Sequence, residues 1–367
     1  MLIGIIDAEI IGNKKHRFPN LACMKISAYH KSMGHNVTLL LNYDDVPLYD
    51  KVYISKVFTK TPMDEKVLRM PNVEYGGTGF FFEKTPALTS AMEHIMPDYH
   101  LYDEYVQNAV ATKKMTSNDA KYYTHYSIGY ATRGCIRGCS FCVNKDKKSC
   151  VLHSPISEFM DKDRPYIFLL DDNVLACKDW KSVFQALNES GKRFRFHQGM
   201  DERLLTDEKC EAIFNSKWIG DYIFAFDNYK DKDIVIEKLK LIKQHTNRIC
   251  KFYCFCGYNH DGAEYSEGFW VKDLYELFLR IEILMEYGML PYIMRHENYD
   301  KSPYRGMYIT IARWINQPSY YKKESLREYV MFTDGIDKKS YRYITEFEML
   351  YPQFSRFFDM KFEEKRR

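Results

Sequence analysis

The run YSIGYATRGCIRGCSFCVN, residues 126–144, sets the architecture of the chain. Its first part, YSIGYAT, is a short apolar run of strand type. Its second part places Cys135, Cys139 and Cys142 within eight residues, spaced Cys-x3-Cys-x2-Cys. Cysteines in CxxC pairs suggest a closed zinc site. Three fit an iron–sulfur cluster better, because one iron is then left without a protein thiolate. Such an open position lets a substrate or cofactor bind the metal directly. Gly134 and Gly138 permit the irregular backbone that a wrapped cluster needs. Two blander readings stay open: three ordinary loop thiols, or a structural zinc site with a fourth ligand elsewhere.

Outward from this run, strand and helix signals alternate. The strand candidates PYIFLLDD, RFRFHQG, DYIFAFD, KFYCFCGY and LPYIMR follow YSIGYAT. Between them lie DWKSVFQALNES, TDEKCEAIFNSK, DKDIVIEKLKLIKQH and VKDLYELFLRIEILMEYG, which have helical spacing. About six β/α units imply an α/β fold with a curved parallel sheet, a partial barrel over 125–301. In such folds the chemistry lies at the carboxyl ends of the strands. Here those ends carry Cys135, then Asp171, Asp172 and Asn173, then His197, Gln198, Gly199 and Asp201. Later ends carry Asp227 and Asn228, then Gly257, Tyr258 and Asn259, then Arg295, His296 and Glu297. Polar termini repeated along one sheet edge read as a lined cavity rather than as turns.

A shorter alternation precedes this domain. GIIDAE, HNVTLLL, KVYISKVF and NVEYGG are strand candidates, NLACMKISAYHKSMG is a helix candidate, and a helix is possible near TPMDEKVLRMP. Residues 1–90 therefore read as a Rossmann-like parallel-sheet domain. Residues 91–124 read as a polar, irregular linker. Residues 302–367 read as a mostly helical extension over the sheet.

The chain has 367 residues, 46% hydrophobic and 28% charged, which suits two or three globular domains. Its 30 Tyr and 24 Phe imply an interior of rings whose polar tips need partners. A net charge of +3 gives no basic stripe for duplex nucleic acid. No apolar run reaches the ~18 residues of a membrane span. The start, MLIGIIDAEIIGNKKH, is apolar before it is basic, the reverse of a secretion signal. A cytoplasmic location is expected, where clustered thiols serve metal or redox chemistry. The tail KFEEKRR reads as a solvated end. Cys250, Cys254 and Cys256 invite a second cluster. Alternation puts the last two on one strand face, and buried cysteine packs as a small apolar group, so core packing is expected.

Cys135, Cys139 and Cys142, with Phe141 just before the last, resemble the signature of the radical S-adenosylmethionine (SAM) enzymes, and the resemblance covers about 125–300. It implies a [4Fe–4S] cluster on the three thiolates, with SAM chelating the fourth iron. It implies reductive cleavage of SAM to a 5′-deoxyadenosyl radical that abstracts hydrogen from a substrate. An electron donor such as flavodoxin or ferredoxin would serve it. By place in the sheet it further implies Asp172 and Asn173 at the SAM amino group. Gln198, Asp201 and Arg203 would meet a ribose hydroxyl or the SAM carboxylate, and Phe141 would lie beside adenine. Gly257 would approach the nucleoside, with Ile293 and Met294 at adenine. Each of these residues also has a bland reading as a cap or turn, and TDEK at Thr206 reads as a capping box. His197, Tyr258, His296 and Glu297 are the candidates for substrate contact or proton transfer.

The front domain resembles the cobalamin-binding domains joined to many radical SAM enzymes. Those carry Asp-x-His-x-x-Gly, with the His on cobalt; here the string is Asp7-Ala-Glu9-Ile-Ile-Gly12. Some relatives bind cobalamin without the His, and others keep the fold and lose the cofactor. The GGTG turn at Gly76, Gly77 and Gly79 resembles the one that takes the cofactor's nucleotide tail. The expectation is a domain of this fold without cobalamin, and a cobalamin-dependent methyltransferase is the alternative. A non-catalytic iron–sulfur protein is a second alternative. A small-molecule substrate is favoured. Single-stranded RNA stays open through Arg295, Lys301, Arg305, Arg313, Lys322 and Lys323, which lie among aromatics.

Overall fold

Buried apolar strands open the chain. In the computed structural model β1 (Leu2–Asp7), β2 (Asn36–Leu39), β3 (Lys51–Ser55) and β4 (Val73–Gly76) form one sheet in the order β2-β1-β3-β4. Every pairing in it is parallel. Residues 1–13, 16–82, 84–262 and 264–362 are described. The expected solvated tail falls largely on 363–367, outside them. The short helix α1 (Ala8–Gly12) follows β1. Next comes α2 (Leu21–Ser32), capped by Asn20, whose side chain accepts from the Cys23 N–H at 3.2 Å. The helix expected near TPMDEKVLRMP is a single 3-10 turn, Glu65–Arg69.

Residues 91–124 are not an irregular linker. They form α3 (Ser90–Glu93), α4 (Asp103–Ala111) and α5 (Ser117–Thr124). Tyr99, Tyr102, Val106, Ala109, Met115 and Tyr123 are buried in the same core as Ile3, Ile5 and Ile128. The polar character of the stretch hid this, because three of its core positions are tyrosines, Tyr99, Tyr102 and Tyr123, whose rings pack in the interior. Tyr102 donates to Asp7 at 2.9 Å and Tyr99 to the Phe159 carbonyl at 2.6 Å.

The strand β5 (Tyr126–Gly129) is followed at once by an antiparallel hairpin, β6 (Thr132–Gly134) with β7 (Cys150–Leu152). β8 (Tyr166–Leu169) and β9 (Arg193–Phe196) complete a sheet in the order β5-β8-β9. β10 (Ile223–Ala225), β11 (Lys251–Cys256) and β12 (Leu290–Arg295) form a second parallel sheet in that order. The six strand candidates of the second domain are thus all strands. The connecting helices are α6 (Trp180–Glu189), α7 (Asp207–Phe214), α8 (Lys232–His245) and α9 (Glu267–Glu286). Thr206 caps α7 by accepting from the Lys209 N–H, but the third helical residue is lysine, so the reciprocal bond of a capping box is missing. A complete capping box occurs at Ser325 and Glu328.

The extension begins with α10 (Arg305–Ile315) and continues through a longer helix, Lys339–Leu350. The Asn316 side chain accepts from the Ile293 N–H at 2.7 Å and donates to the Ile293 carbonyl at 3.1 Å. It pairs with Ile293 as a strand residue would and occupies that rung of the outer edge of β12.

The chain divides into two compact units: Met1–Asp171 with Lys181–Arg195, and Asp172–Trp180 with Phe196–Arg367. No helix among the described residues is long and apolar enough to cross a membrane.

Candidate functional site

The three-cysteine loop lies in the first unit. Residues 135–149 leave β6 and return to β7, and the ladder Thr132–Leu152, Arg133–Val151, Gly134–Cys150 fixes both ends. Gly134 has φ +98°, and a Cβ there would meet the Ser149 carbonyl oxygen at 2.2 Å, so only glycine lets the two ends approach. Within the loop, Cys142 N–H donates to the Cys139 carbonyl at 2.9 Å, and Asn144 N–H points at the Cys142 sulfur at 3.4 Å.

The root of the loop is held by two carboxylates. Asp171, at the end of β8, accepts from the Ala131 and Thr132 N–H groups and from the Thr132 hydroxyl, at 3.1, 2.6 and 2.7 Å. Burial pushes its carboxyl up to about 6 against those bonds. Glu93, at the end of α3, takes Lys25 at 2.8 Å and His153 at 2.9 Å, with Arg133 at 3.6 Å. Burial alone would raise its carboxyl; the His153 and Lys25 bonds outweigh that and hold it at about 2. The Arg133 guanidinium also lies 3.3 Å over the Tyr130 ring. The expected linker therefore supplies, through Glu93, one of the supports of the cysteine loop.

Among the described residues no three His, Cys, Asp or Glu side chains are gathered as ligands of one metal ion. Thiolates of a cubane cluster each hold a different iron, so they stand further apart than the ligands of a single ion. Three thiols on one loop, anchored at both ends and half-buried, are a donor set of that kind. The residues present fit a [4Fe–4S] cluster by their chemistry.

The other seven cysteines are buried. Cys254 and Cys256 lie on one buried face of β11, and burial pushes the Cys254 thiol up to about 12. Cys250 and Cys210 are pushed to about the same value by burial. They are packed as core residues.

The remaining candidates lie in the second unit, except Phe141, which sits in the cysteine loop. Asp172 and Asn173 precede a short 3-10 turn, Val174–Ala176, with Asn173 buried and Asp172 half-buried. His197 and Gln198 are exposed just beyond β9. Asp201 and Arg203 come together: Arg203 Nε donates to Asp201 at 2.7 Å, and its Nη1 donates to Asp231 at 2.7 Å. Between them in sequence lies Glu202, which sequence reading passed over. It is buried and accepts from the Ala225 N–H at 3.3 Å, and burial with the nearby Asp201 charge pushes its carboxyl up to about 8. Asp227, at the end of β10, is raised to about 6 by burial against the pull of Arg280. Arg280 reaches from α9 to the carbonyls of Phe226, Asp227 and Phe255. It ties the carboxyl ends of β10 and β11 together.

Gly257, with φ +77°, turns the chain out of β11, and its N–H donates to Asp273 at 2.9 Å. A Cβ there would press on Tyr299 at 3.0 Å. Tyr258 and His296 meet edge-on with ring centres 4.8 Å apart, and Phe255 lies against both. His260, not singled out from the sequence, joins them 5.4 Å from Tyr258. Met294 and Tyr292 are exposed on the face of β12 opposite buried Ile293. Glu297 is exposed at the following turn. Among the basic residues of the last segment, Arg305 pairs with Asp300 at 2.7 Å, and Arg313 pairs with Asp334 at 2.9 Å.

In the front sheet the position aligned with a cobalt-ligating His is closed. Glu9 is fully buried and accepts from the Val57 and Phe58 N–H groups at 2.9 and 3.0 Å and from the Thr61 hydroxyl. Gly77, with φ +106°, and Gly79 allow their turn to lie on the Lys56 backbone; Cβ atoms there would come within 2.2 and 2.6 Å of Lys56 atoms.

No protein-family model and no curated protein matches the sequence. Among solved structures, the chain is similar to TsrM, a radical S-adenosylmethionine methyltransferase from Kitasatospora setae, with cobalamin and a [4Fe–4S] cluster bound. The TM-score is 0.50 and the identity 9%, over 80% of this chain and 74% of that one. A second TsrM structure, with tryptophan substrate and the SAM analogue aza-SAM, gives TM-score 0.50 and identity 10%, over 80% and 72%. OxsB, a cobalamin-dependent SAM radical enzyme with aqua-cobalamin and SAM bound, is matched over 97% of this chain and 56% of its own, at TM-score 0.35 and identity 10%. At such identities the likeness to TsrM is one of fold. The chain has a fold similar to that of a radical S-adenosylmethionine methyltransferase, with its three-cysteine loop held in the β6–β7 hairpin that follows β5, the first strand after the Rossmann-like front sheet and its helices.

Proposed function

We propose that the chain is a radical SAM enzyme, with Cys135, Cys139 and Cys142 as the thiolates of a [4Fe–4S] cluster. The observation that carries this reading is the loop: three thiols between ends pinned by a hairpin, in a chain of this fold. When bound, the cluster would supply the electron that splits the sulfonium C–S bond of SAM. The chain's own part is to hold and orient. Asp171 and Glu93 keep the root of the loop fixed. Phe141, Asp172, Asn173, Gln198 and Met294 stay proposed for SAM. Asp201 is proposed for a ribose hydroxyl, with Arg203 orienting it. Tyr258 and His296 offer a ring face and an imidazole to a small-molecule substrate, and His197 and Glu297 are proposed as further contacts. A flavodoxin or ferredoxin is proposed as electron donor.

For the reaction, methyl transfer with cobalamin is the first reading, supported by the likeness to TsrM, whose structure holds both cofactors. The front domain fits a flat corrin in one respect: Val57, Phe58, Tyr75 and Phe82 are exposed near the carboxyl ends of β3 and β4. It does not fit cobalt ligation at residue 9. We therefore read any cobalamin as taking no ligand from Glu9. Hydrogen abstraction without cobalamin is the second reading, favoured by that closed turn.

One experiment separates these readings. Protein reconstituted without oxygen is expected to hold about four irons per chain. Supplied with hydroxocobalamin and desalted, then given SAM, dithionite and candidate substrates, it should yield S-adenosylhomocysteine and keep a corrin absorption band under the first reading. It should yield 5′-deoxyadenosine with no such band under the second. Iron-poor protein that leaves SAM intact defeats both.

A further inference from the structure

The front sheet has the strand order β2-β1-β3-β4, so the chain reverses direction across the sheet between β1 and β3. In open parallel sheets that switch point, at the carboxyl ends of the strands, is where phosphate-bearing ligands bind. Here the end of β1 is Asp7-Ala-Glu9, and the loop after β3 runs from Lys56 to Pro62. That loop presents two successive backbone N–H groups, of Val57 and Phe58, and the Thr61 hydroxyl, all converging on one anion. Such convergent donors make an oxyanion cradle. The anion in it is the Glu9 carboxylate. Its Oε1 takes both amides and its Oε2 takes the hydroxyl, and the residue is wholly buried.

The neighbours of Glu9 are built around that placement. Asp7 accepts from the Glu9 N–H at 3.1 Å and from the Tyr102 hydroxyl at 2.9 Å, which fixes the turn. Gly12 lies so close to the loop that a Cβ would meet the Pro62 carbonyl oxygen at 2.3 Å and the Thr61 methyl carbon at 2.8 Å. The turn over residues 7–12 thus docks on residues 57–62 through an internal carboxylate and a close backbone approach.

We propose that the ligand crevice of the front domain is filled from within: Glu9 occupies the cradle that would otherwise take a phosphate group. The crevice takes no nucleotide or cofactor phosphate while Glu9 is seated. This stands whether or not the cysteine loop carries a cluster. Any cobalamin would place its phosphate elsewhere.

Thermal melting of wild type and Glu9→Ala, in sodium phosphate and in sodium chloride of equal ionic strength, tests it. Phosphate raises the stability of most proteins by exclusion, so its effect on wild type is the control. Glu9→Ala should melt lower than wild type and gain more from phosphate than wild type does, because the emptied cradle binds it. Adding Thr61→Val should cut that extra gain. An equal gain in wild type and Glu9→Ala overturns the proposal. Hydrogen exchange on wild type gives a second reading that does not depend on the variant folding. The Val57 and Phe58 amides should be strongly protected, and rapid exchange at both overturns the proposal.

Discussion

Glycine at 134 is where one side chain decides whether the cysteine loop closes. Its φ of +98° is costly for any residue with a Cβ, and that atom would collide with the Ser149 carbonyl oxygen. Gly138 has φ +59°, the ordinary left-handed region, with the nearest atom at 3.1 Å. Gly134→Ala should therefore cost about 1–3 kcal/mol and sharply lower the iron retained after reconstitution. Gly138→Asn should cost less and keep most of it. Iron analysis beside a melting curve for each variant checks the order, and equal losses would contradict it. Glu202 gives a pH prediction. Its folded value, about 8, lies above the ordinary 4.5, so it is protonated in the fold near neutrality. Its contribution is full below the unfolded value and is lost as pH rises through the folded one. Asp7, at about 7, and Asp171 and Asp227, at about 6, act with the same sign. Stability should fall between about pH 4 and 8, and Glu202→Gln should flatten the upper part of that fall. Urea titrations across this range would show it; an unchanged slope in the variant would refute the assignment.

Two buried arginines staple the elements. In the first unit, Arg164 donates to the carbonyls of Tyr123, Tyr126 and Tyr99, and its guanidinium lies 4.3 Å over the Tyr99 ring. It fastens α5 and β5 to the segment before α4. Lysine has a single donor centre and cannot reproduce this fork. Arg164→Lys should cost about 2–4 kcal/mol, nearly as much as Arg164→Ala, because carbonyls are left buried without donors. Chemical denaturation of the two variants measures the difference. None of this was legible in the sequence. The strands could be read because each is a short apolar run bounded by glycine or carboxylate, and the cysteine loop because its spacing is local. The helices over 91–124 were missed because tyrosine looks polar on a residue scale while its ring is buried. Glu9 and Glu202 were missed as buried acids because what settles them lies far along the chain: Glu9 finds its partners 48 to 52 residues away. Gly257 was read for closeness to a nucleoside; its left-handed turn and the approach of Tyr299 already require glycine there.

Across the whole chain, the cysteines fall into two populations. Cys135, Cys139 and Cys142 are half-buried on one loop, and the other seven are buried. A thiol raised by burial is a poor nucleophile as well as an inaccessible one. Brief alkylation of the metal-free native protein should label those three and spare the rest, whereas unfolded protein should take label at all ten. Peptide mass spectrometry reads the outcome directly. Strong native labelling at Cys254 or Cys256 would mean that the sheet carrying them opens more readily than its packing implies. After reconstitution, replacing the three loop cysteines by alanine should remove essentially all iron, since the remaining thiols are spent on packing.

The β6–β7 hairpin has a practical corollary. Because its rungs bring Gly134 and Cys150 side by side before any cysteine of the motif is reached, the intervening stretch is a detachable cassette. Exchanging 135–149 for a tight two-residue reversal should leave a scaffold that still folds yet has no place for inorganic sulfide. It would be a blank against which every redox signal of the intact protein could be subtracted.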